Sequence, residues 1–435
     1  MKKNNIIIGG GVTGLAAGLK SGLKVYEAQE VPGGICSSYY LRAGAEIPEY
    51  SSPEDEEAYR FEIGGGHWIF GGDPKILDFI KSQTPVKEYS RKSSVYFPDL
   101  DLYVPYPIQN NLRFLGKETA QKVISEIENA TDAIPVTMED WLEKSFGKTL
   151  LNMFFAPFHE LYTAGLWTKI APQDAYKSPV DMESVKRGAY SSDTDSIGYN
   201  VKYLYPKLGL NSLASQMAGN CDIEYRKYAK EINSDKNEIY FSDGTGSKYE
   251  NLLSTLPLNI AIKYSNIKID EPLDDYTSVL VLNIGAIKGS KCPDDHWIYI
   301  PDSKSKFHRV GFYSNVDSSF LPRSSRESND RVSIYVEKAF PNGMKPTENE
   351  ITTYKEMVVK ELQDWKFIKE VETVHPTWID VAYTWTRPKS KWKDIAVSEL
   401  NKLNIRQVGR YGLWHFQGIA DSLKDGFKIS DKFGK

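Results

Sequence analysis

The chain has 435 residues, which at about 100–200 residues per domain predicts two or three domains. Apolar residues make up 40% and charged residues 26%, which is typical of folded globular proteins rather than of disordered or fibrous ones. The net charge of −4 offers no basic field of the kind that attracts nucleic acid or anionic membranes. The 27 Tyr and 9 Trp suit stacking against a sugar or heterocycle, although a Tyr-rich core accounts for the same counts.

The cysteines and the apolar segments limit the class of protein further. Cys36, Cys221 and Cys292 are far apart and form no Cys-x-x-Cys pair, which argues against a disulfide framework or a zinc site and fits a reducing compartment. The apolar run that begins at Ile6 is too short for a signal peptide, and no segment approaches the roughly 18 apolar residues of a membrane span. We therefore predict a soluble, cytoplasmic protein with no metal site and no nucleic-acid partner.

The first elements of the chain carry its strongest motif. Residues 6–8 are three isoleucines, which favours a buried parallel strand. Gly9, Gly11 and Gly14 then form a G-x-G-x-x-G sequence before a helical pattern, and Glu27 follows the next short strand. Such glycines allow a tight turn, close approach to a pyrophosphate and close helix packing, while the acid binds a ribose hydroxyl. The pattern predicts a dinucleotide site with an unusually short crossover helix.

Two further groups of glycines indicate which dinucleotide is bound. Gly33 and Gly34 follow Glu27, where an NAD-binding fold has no particular need for a glycine pair. In two-dinucleotide-binding flavoproteins such a pair runs beneath the ribose and pyrophosphate of FAD. Residues 64–66 are also glycines, and His67 follows them. Backbone without Cβ atoms can lie against a flat ring system, so we predict FAD, with a flexible loop as the alternative reading of this cluster.

The rest of the chain changes character twice. Residues 117–158 have a helical pattern of apolar residues, whereas residues 276–336 alternate between apolar and polar as strands do. Between them, residues 221–257 read as strands that return to the nucleotide domain. We find no internal repeat and no low-complexity segment.

Taken together and in order, these segments resemble the UDP-galactopyranose mutase family, within the wider group of FAD amine-oxidase-like proteins. The resemblance rests on the glycine loop with Glu27, on residues 65–70 and on residues 104–111, which read Val-Pro-Tyr-Pro-Ile-Gln-Asn-Asn. Further landmarks are residues 157–159, 205–209, 296–302, 307–315 and 409–412.

The resemblance implies an α/β fold in three parts. These are a Rossmann-like FAD-binding domain (residues 1–90, 195–275 and 396–435), an inserted helical domain (91–194) and an antiparallel β-sheet substrate domain (276–395). It also implies that FAD, active when reduced, interconverts the pyranose and furanose forms of a UDP-sugar or related nucleotide sugar. In that family flavin N5 attacks the anomeric carbon, so that the cofactor carries the sugar while its ring re-forms. NAD(P)H or another reductant and a homodimer stay open as partners.

The same resemblance assigns roles to individual residues. His67, Arg309 and Arg410 are expected to serve catalysis. His67 would lie beside the flavin, and the two arginines would hold the diphosphate, because a guanidinium fork suits phosphate oxygens. The expected cofactor-binding residues are Gly9, Gly11, Val12, Thr13, Gly14, Glu27, Ala28, Gly33, Gly34, Gly65, Gly66, His67, Gly418, Ala420, Asp421 and Ser422. The expected substrate-binding residues are Tyr106, Ile108, Gln109, Tyr299, Arg309, Asn315 and Arg410.

Three departures from the family pattern concern phosphate binding. Phe416 stands where the family has a tyrosine. A second tyrosine of the family pattern is not evident in this sequence, and Trp392 lies in the region where it is expected. Only Lys186 or Arg187 lies near the place of the family's helical arginine. These departures leave open an alternative function, an FAD-dependent oxidase or desaturase of the amine-oxidase or protoporphyrinogen-oxidase type.

Overall fold

The computed structural model describes residues 4–173, 181–191 and 201–433. The predicted domain boundary between residues 194 and 195 lies outside these residues. No helix in the described part of the chain combines the length and the apolar character that crossing a bilayer requires.

Among the described residues, the strands form two large sheets and three smaller ones. The strands are β1 (Asn5–Ile8), β2 (Lys24–Tyr26), β3 (Ser38–Leu41), β4 (Tyr59–Glu62), β5 (Val86–Ser90), β6 (Ser93–Phe97), β7 (Leu102–Pro105), β8 (Lys202–Pro206), β9 (Ile223–Glu224), β10 (Ala229–Asn233), β11 (Glu238–Phe241), β12 (Gly246–Lys248), β13 (Asn251–Ser254), β14 (Tyr276–Lys288), β15 (Trp297–Tyr299), β16 (Arg309–Phe312), β17 (Arg331–Pro341), β18 (Ile368–Thr384) and β19 (Ile405–Gln407).

Helices pack around both sheets, and helices α3 to α6 follow one another between residues 117 and 190. The helices are α1 (Val12–Ser21), α2 (Pro74–Gln83), α3 (Lys117–Glu128), α4 (Met138–Leu150), α5 (Ala156–Tyr162), α6 (Met182–Tyr190), α7 (Leu210–Ala218), α8 (Leu258–Tyr264), α9 (Tyr313–Val316), α10 (Glu348–Asp364), α11 (Trp392–Lys402), α12 (Gly409–Gly412) and α13 (Ile419–Phe433). A π-helical turn, Leu151–Phe155, joins α4 to α5.

A parallel sheet in the order β19-β13-β1-β2-β9 forms the nucleotide-binding part. Its central strand β1 is buried along its whole length, as the isoleucine run predicts for a strand covered on both faces. The crossover helix α1 has only 10 residues and ends at Gly22, whose φ of 67° is left-handed. The predicted short crossover is thus present, and α13 from the far end of the chain packs against α1.

The second large sheet has the order β18-β14-β17-β16-β15-β6-β7. Its central pairings are antiparallel, but β6 pairs in parallel with β15. Strands β6 and β7, which belong to this sheet, lie within residues 91–194, the range predicted as the helical domain. Helix α11 spans the predicted boundary at residue 396. The predicted α/β class, with a parallel and a largely antiparallel sheet, is confirmed.

Helices α3 to α6 and the π-helical turn form a region with its own apolar core. A reciprocal cap fixes the start of α4, because Asp140 N donates to Thr137 Oγ1 while the Asp140 carboxylate accepts from Thr137 N. Such a capping box satisfies the free amides of a first helical turn. The phenylalanines at 146, 154 and 155 are buried in this core, and the π-helical turn faces the two sheets across a cavity.

Candidate active site

One large cavity, of about 610 Å³, lies where the parallel sheet, the large mixed sheet and the helical region meet. Its wall is mostly aromatic, and a few charged groups interrupt it. The aromatic residues of the wall are Tyr26, Trp68, Phe70, Tyr106, Trp141, Phe154, Phe155, Phe158, Tyr162, Trp297, Tyr299, Tyr383, Trp385, Tyr411 and Phe416. A mostly apolar wall with a few placed polar groups is the usual form of a small-molecule site.

The glycine loop between β1 and α1 forms one end of this cavity. Gly9 has a φ of 95° and donates its N–H to the Tyr26 carbonyl at 2.8 Å. A Cβ atom on Gly14 would lie 1.8 Å from the Gly9 carbonyl oxygen, so only glycine lets the helix approach the loop. Gly11 forms a parallel bridge with Gly33, which brings the second glycine group onto the same surface. The arrangement is that of a dinucleotide-binding loop.

Glu27 closes this end of the cavity. One carboxylate oxygen accepts the Gly10 N–H at 2.5 Å and the other accepts the Gln29 N–H at 2.8 Å. Burial raises the pKa of Glu27 above its usual value, although these backbone hydrogen bonds oppose the shift. Each oxygen keeps a second lone pair, and the residue borders the cavity. Glu27 can therefore accept hydrogen bonds from ribose hydroxyls.

Two residues of the glycine cluster at 64–66, Gly64 and Gly66, border the cavity. A Cβ atom on Gly66 would lie 2.1 Å from the Tyr335 hydroxyl, and one on Gly65 would lie 2.7 Å from a Glu337 oxygen. The segment thus has room for backbone only, as expected where backbone fits closely between a protein wall and a ligand. His67 follows at the cavity surface, where burial, with a further contribution from the charge of Arg410, lowers the pKa of His67 to about 4. Its imidazole is neutral at physiological pH.

Arg309 forms a fork with a buried carboxylate. Its Nε lies 2.9 Å from Glu337 Oε2 and its Nη2 lies 2.6 Å from Oε1. Burial opposes ionisation of Glu337, but the charge of Arg309 outweighs it and lowers the pKa of Glu337 to about 2. The charge of Arg309 is therefore balanced within the protein.

Arg410 differs from Arg309 in its partners. Its Nη2 donates to the Ala382 carbonyl at 2.8 Å, and its guanidinium carbon lies 4.4 Å from the centre of the Phe416 ring. Within the described part of the chain no carboxylate lies within ion-pair distance of it. A guanidinium held by carbonyls and aromatic faces at a cavity wall keeps its charge for an anionic ligand.

His159 supplies a polar group to the helical side of the cavity. Its Nδ1 lies 2.7 Å from the Phe155 carbonyl oxygen, so Nδ1 carries the proton. Burial lowers the pKa of His159 to about 4, which leaves the ring neutral and its Nε2 a hydrogen-bond acceptor. The rings of Phe158 and Tyr162 lie within 6.1 Å of it. His159 belongs to one of the landmark segments of the sequence resemblance, but no motif in the sequence indicates a role for it.

The structure brings most of the expected site residues to one surface. Those that border the cavity are Gly9, Gly11, Val12, Thr13, Glu27, Ala28, Gly33, Gly34, Gly66, His67, Tyr106, Tyr299, Arg309, Arg410, Gly418, Asp421 and Ser422. These residues come from the two ends of the chain and from both sheets, which is why their proximity is a property of the fold and not of any one segment.

Six expected residues do not border the cavity. Ile108 and Gln109 are fully buried, and Ile108 belongs to the apolar core of the helical region. Asn315 uses its amide N–H groups on the carbonyls of Pro293 and Asp295, both at 2.7 Å, which ties it to a loop of the protein. Gly14, Gly65 and Ala420 lie behind the wall, where they allow close packing.

The structure also shows what surrounds the positions at which the sequence departs from the family's phosphate-binding pattern. Trp392 is buried against Trp414, with ring centres 5.1 Å apart, whereas Tyr383 borders the cavity beside Arg410. Lys186 pairs at the surface with Glu128. Arg91 borders the cavity near Tyr106, and no motif in the sequence identified it. Tyr383, nine residues before Trp392 in the sequence, thus offers the cavity a phenol that Trp392 does not.

No protein-family model matches the chain, but its fold occurs in solved structures. A reduced UDP-galactopyranose mutase superimposes with a TM-score of 0.82 over 99% of this chain and 93% of that one, at 20% identity. A CLA-producing fatty acid isomerase from P. acnes covers 99% of this chain and 98% of its own, with a TM-score of 0.59 at 15% identity. A putrescine oxidase variant reaches 0.57 over 100% and 99%, at 13% identity. The fold is therefore that of UDP-galactopyranose mutase, as the sequence resemblance predicts.

Proposed function

We propose that the protein binds FAD in this cavity and, with the flavin reduced, interconverts the pyranose and furanose forms of a nucleotide sugar. The observation that carries the proposal is the continuity of the cavity from the glycine loop and Glu27 to Arg410, whose charge no carboxylate of the described residues balances. A dinucleotide and an anionic substrate would then meet in one enclosed space.

The residues present fit an FAD. Gly9, Gly11 and Thr13 would face its pyrophosphate, and Glu27 its ribose. The backbone of residues 64–66, packed directly on Tyr335 and Glu337, would lie against the isoalloxazine. Gly418, Asp421 and Ser422 at the start of α13 would close over the ribityl chain.

Replacing Gly14 with alanine is expected to yield folded protein that has lost most of its FAD. The added methyl group would lie 1.8 Å from the Gly9 carbonyl oxygen, so the helix must move away from the loop that holds the pyrophosphate. Visible flavin absorbance per protein measures the loss. Gly219→Ala is the matched control, because its nearest non-adjacent atom is 3.5 Å away. Full flavin content in Gly14→Ala would contradict the assigned loop.

The substrate end of the cavity favours a nucleotide sugar. Arg410 would bind the diphosphate, with Tyr299 and Tyr383 beside it. The aromatic wall of α5 offers stacking faces for a base, and His159 Nε2 offers an acceptor to a base N–H. In this proposal the expected contacts of Ile108, Gln109 and Asn315 with substrate are replaced by contacts from these cavity residues.

The protein's own groups would bind, orient and shield the reactants. When bound, reduced FAD would supply the nucleophile. Neutral His67 adds no positive charge beside the flavin, and its ring can exchange a hydrogen bond with flavin or sugar. The aromatic wall excludes water, which strengthens the interaction of Arg410 with the diphosphate.

An FAD-dependent amine oxidase is the second candidate, favoured by the shared fold with putrescine oxidase and by the loss of a phenol at Phe416. Against it, Arg410 would repel a cationic amine, and Glu337 is occupied by Arg309.

Chromatography of nucleotide sugars after incubation with the protein tests the proposal. Dithionite-reduced protein is expected to convert UDP-galactopyranose into a pyranose–furanose mixture, and oxidised protein is not. A second nucleotide sugar, such as a UDP-pentose, takes its place if galactose is not the sugar. Absence of ring interconversion with every UDP-hexose and UDP-pentose, reduced flavin being present, would refute it.

A further inference from the structure

His308 borders the cavity just before Arg309 and has no role in the proposed function so far. Its side chain is almost fully buried, with 1% of the residue exposed. The rings of Tyr162 and Phe158, from the helical region, lie 5.4 and 6.0 Å from its ring. His308 therefore lies where the large sheet and the helical region meet at the cavity.

The imidazole of His308 is not satisfied by the protein. Neither ring nitrogen has a hydrogen-bond partner among the residues the structure describes. Glu337 Oε2 lies 3.5 Å from Nε2, which is long for a hydrogen bond. Buried polar side chains nearly always have a partner, so a buried imidazole without one in the wall of a cavity points to a partner that arrives with the ligand.

The surroundings determine which nitrogen needs that partner. Glu337 is ionised and can only accept hydrogen bonds, so the favoured tautomer carries its proton on Nε2, toward the carboxylate. Burial lowers the pKa of His308, and the ring is neutral. Nδ1 is then an unprotonated acceptor, and its partner must be a donor.

We infer that His308 Nδ1 accepts a hydrogen bond from a hydroxyl of the sugar. This inference rests on the proposed function and adds a specificity-determining residue to it. A diphosphate oxygen does not fit, because it has no proton to donate and would face the carboxylate of Glu337. A sugar hydroxyl is a neutral donor and tolerates that carboxylate. The sugar would thus lie toward His308 and the diphosphate toward Arg410.

Calorimetric binding of UDP and of UDP-galactose to the FAD-loaded protein separates the two ends of the ligand. His308→Phe keeps an aromatic ring but removes both nitrogens, so UDP-galactose should bind on the order of tenfold more weakly while UDP affinity stays the same. His308→Asn places an amide oxygen near the position of Nδ1 and should restore most of the loss. His308→Gln places its amide near Nε2 and should not.

The outcomes distinguish this inference from the proposed function. Wild-type protein that binds neither UDP nor UDP-galactose overturns the proposed function. Wild-type protein that binds UDP, with UDP-galactose binding unchanged in His308→Phe, overturns only the inference. An equal loss for UDP also overturns it, since the contact would then involve the nucleotide. If His308→Phe fails to retain FAD, the affinities of His308→Asn and His308→Gln for UDP-galactose are compared instead. Near wild-type affinity in His308→Gln but not in His308→Asn contradicts the role of Nδ1.

Discussion

Arg309→Ala is expected to lower the free energy of unfolding by about 3–5 kcal/mol at neutral pH. The substitution leaves the carboxylate of Glu337, whose side chain is 2% exposed, without the guanidinium that balances it. An uncompensated buried charge is among the most destabilising changes a protein can undergo. Urea unfolding followed by tryptophan fluorescence measures the loss.

The pH dependence of this variant identifies the cause. In the wild-type protein the pKa of Glu337 is about 2, below the usual 4.5, so the ion pair stabilises the fold above pH 4.5 and is lost as the pH falls toward 2. Without Arg309, burial, which raises the folded-state pKa of Glu337, is opposed mainly by the contact with His308, so that pKa should rise above 4.5. Protonation then favours the folded variant, so the stability deficit should shrink between pH 7 and pH 5.

Arg42→Ala is the matched control for Arg309→Ala. Arg42 also forms a fork, with Asp55 at 2.8 and 3.0 Å, but both side chains are largely exposed to water. Exposed pairs contribute little to stability, so the unfolding midpoint of this variant should stay near that of the wild type. Equal destabilisation of the two variants, or a deficit in Arg309→Ala that does not depend on pH, would contradict the buried-pair explanation.

The second large effect is expected for Arg410→Ala, which should weaken UDP binding about tenfold to 150-fold. Charge-assisted hydrogen bonds contribute about 1.5–3 kcal/mol, and each 1.36 kcal/mol corresponds to a factor of ten. Arg410→Lys keeps the charge but not the planar fork, so its affinity for UDP should lie between that of the wild type and that of Arg410→Ala. Calorimetric titration with UDP measures the dissociation constants.

Arg406→Ala controls for removing an arginine from β19, the strand that precedes α12. Arg406 donates to the Asn401 carbonyl at 3.2 Å and does not border the cavity, so UDP binding should not change. Thermal unfolding of Arg410→Ala is measured in parallel, because Arg410 also bonds the Ala382 and Gln417 carbonyls. Unchanged UDP affinity in Arg410→Ala would remove this residue from the substrate site.

Local patterns in the sequence predicted the nucleotide-binding part of the fold well. The isoleucine run, the glycine spacing and Glu27 all lie within one strand–helix–strand unit, so neighbouring residues carry the whole signal. Long alternating strands likewise predicted the large sheet. The parallel pairing of β6 with β15 could not be predicted, because the two strands are about 200 residues apart and hydrophobic alternation is the same for either strand direction.

The wall of the active site was harder to predict than the fold. Arg309 has the same sequence context whether it faces a phosphate or a carboxylate, and Glu337 meets it only because β16 pairs with β17. Gln109 follows a motif that matches the family, yet its side chain is turned into the protein interior. Tyr383 lies within β18, and it meets Arg410 only because Arg410, in α12, donates to the carbonyl of the neighbouring Ala382. These outcomes depend on tertiary contacts that single-chain motifs do not encode.

The measurement that tests the proposed mutase activity most directly is anaerobic turnover with the flavin spectrum recorded throughout. Dithionite-reduced protein mixed with excess UDP-galactopyranose should form many molecules of the furanose per flavin while the flavin stays reduced, because the reaction has no net redox change. The contrary result has two parts. The reduced protein produces no ring-interconverted nucleotide sugar, and in a separate experiment an amine such as putrescine reduces the flavin of the oxidised protein stoichiometrically. That result would make the protein an oxidase.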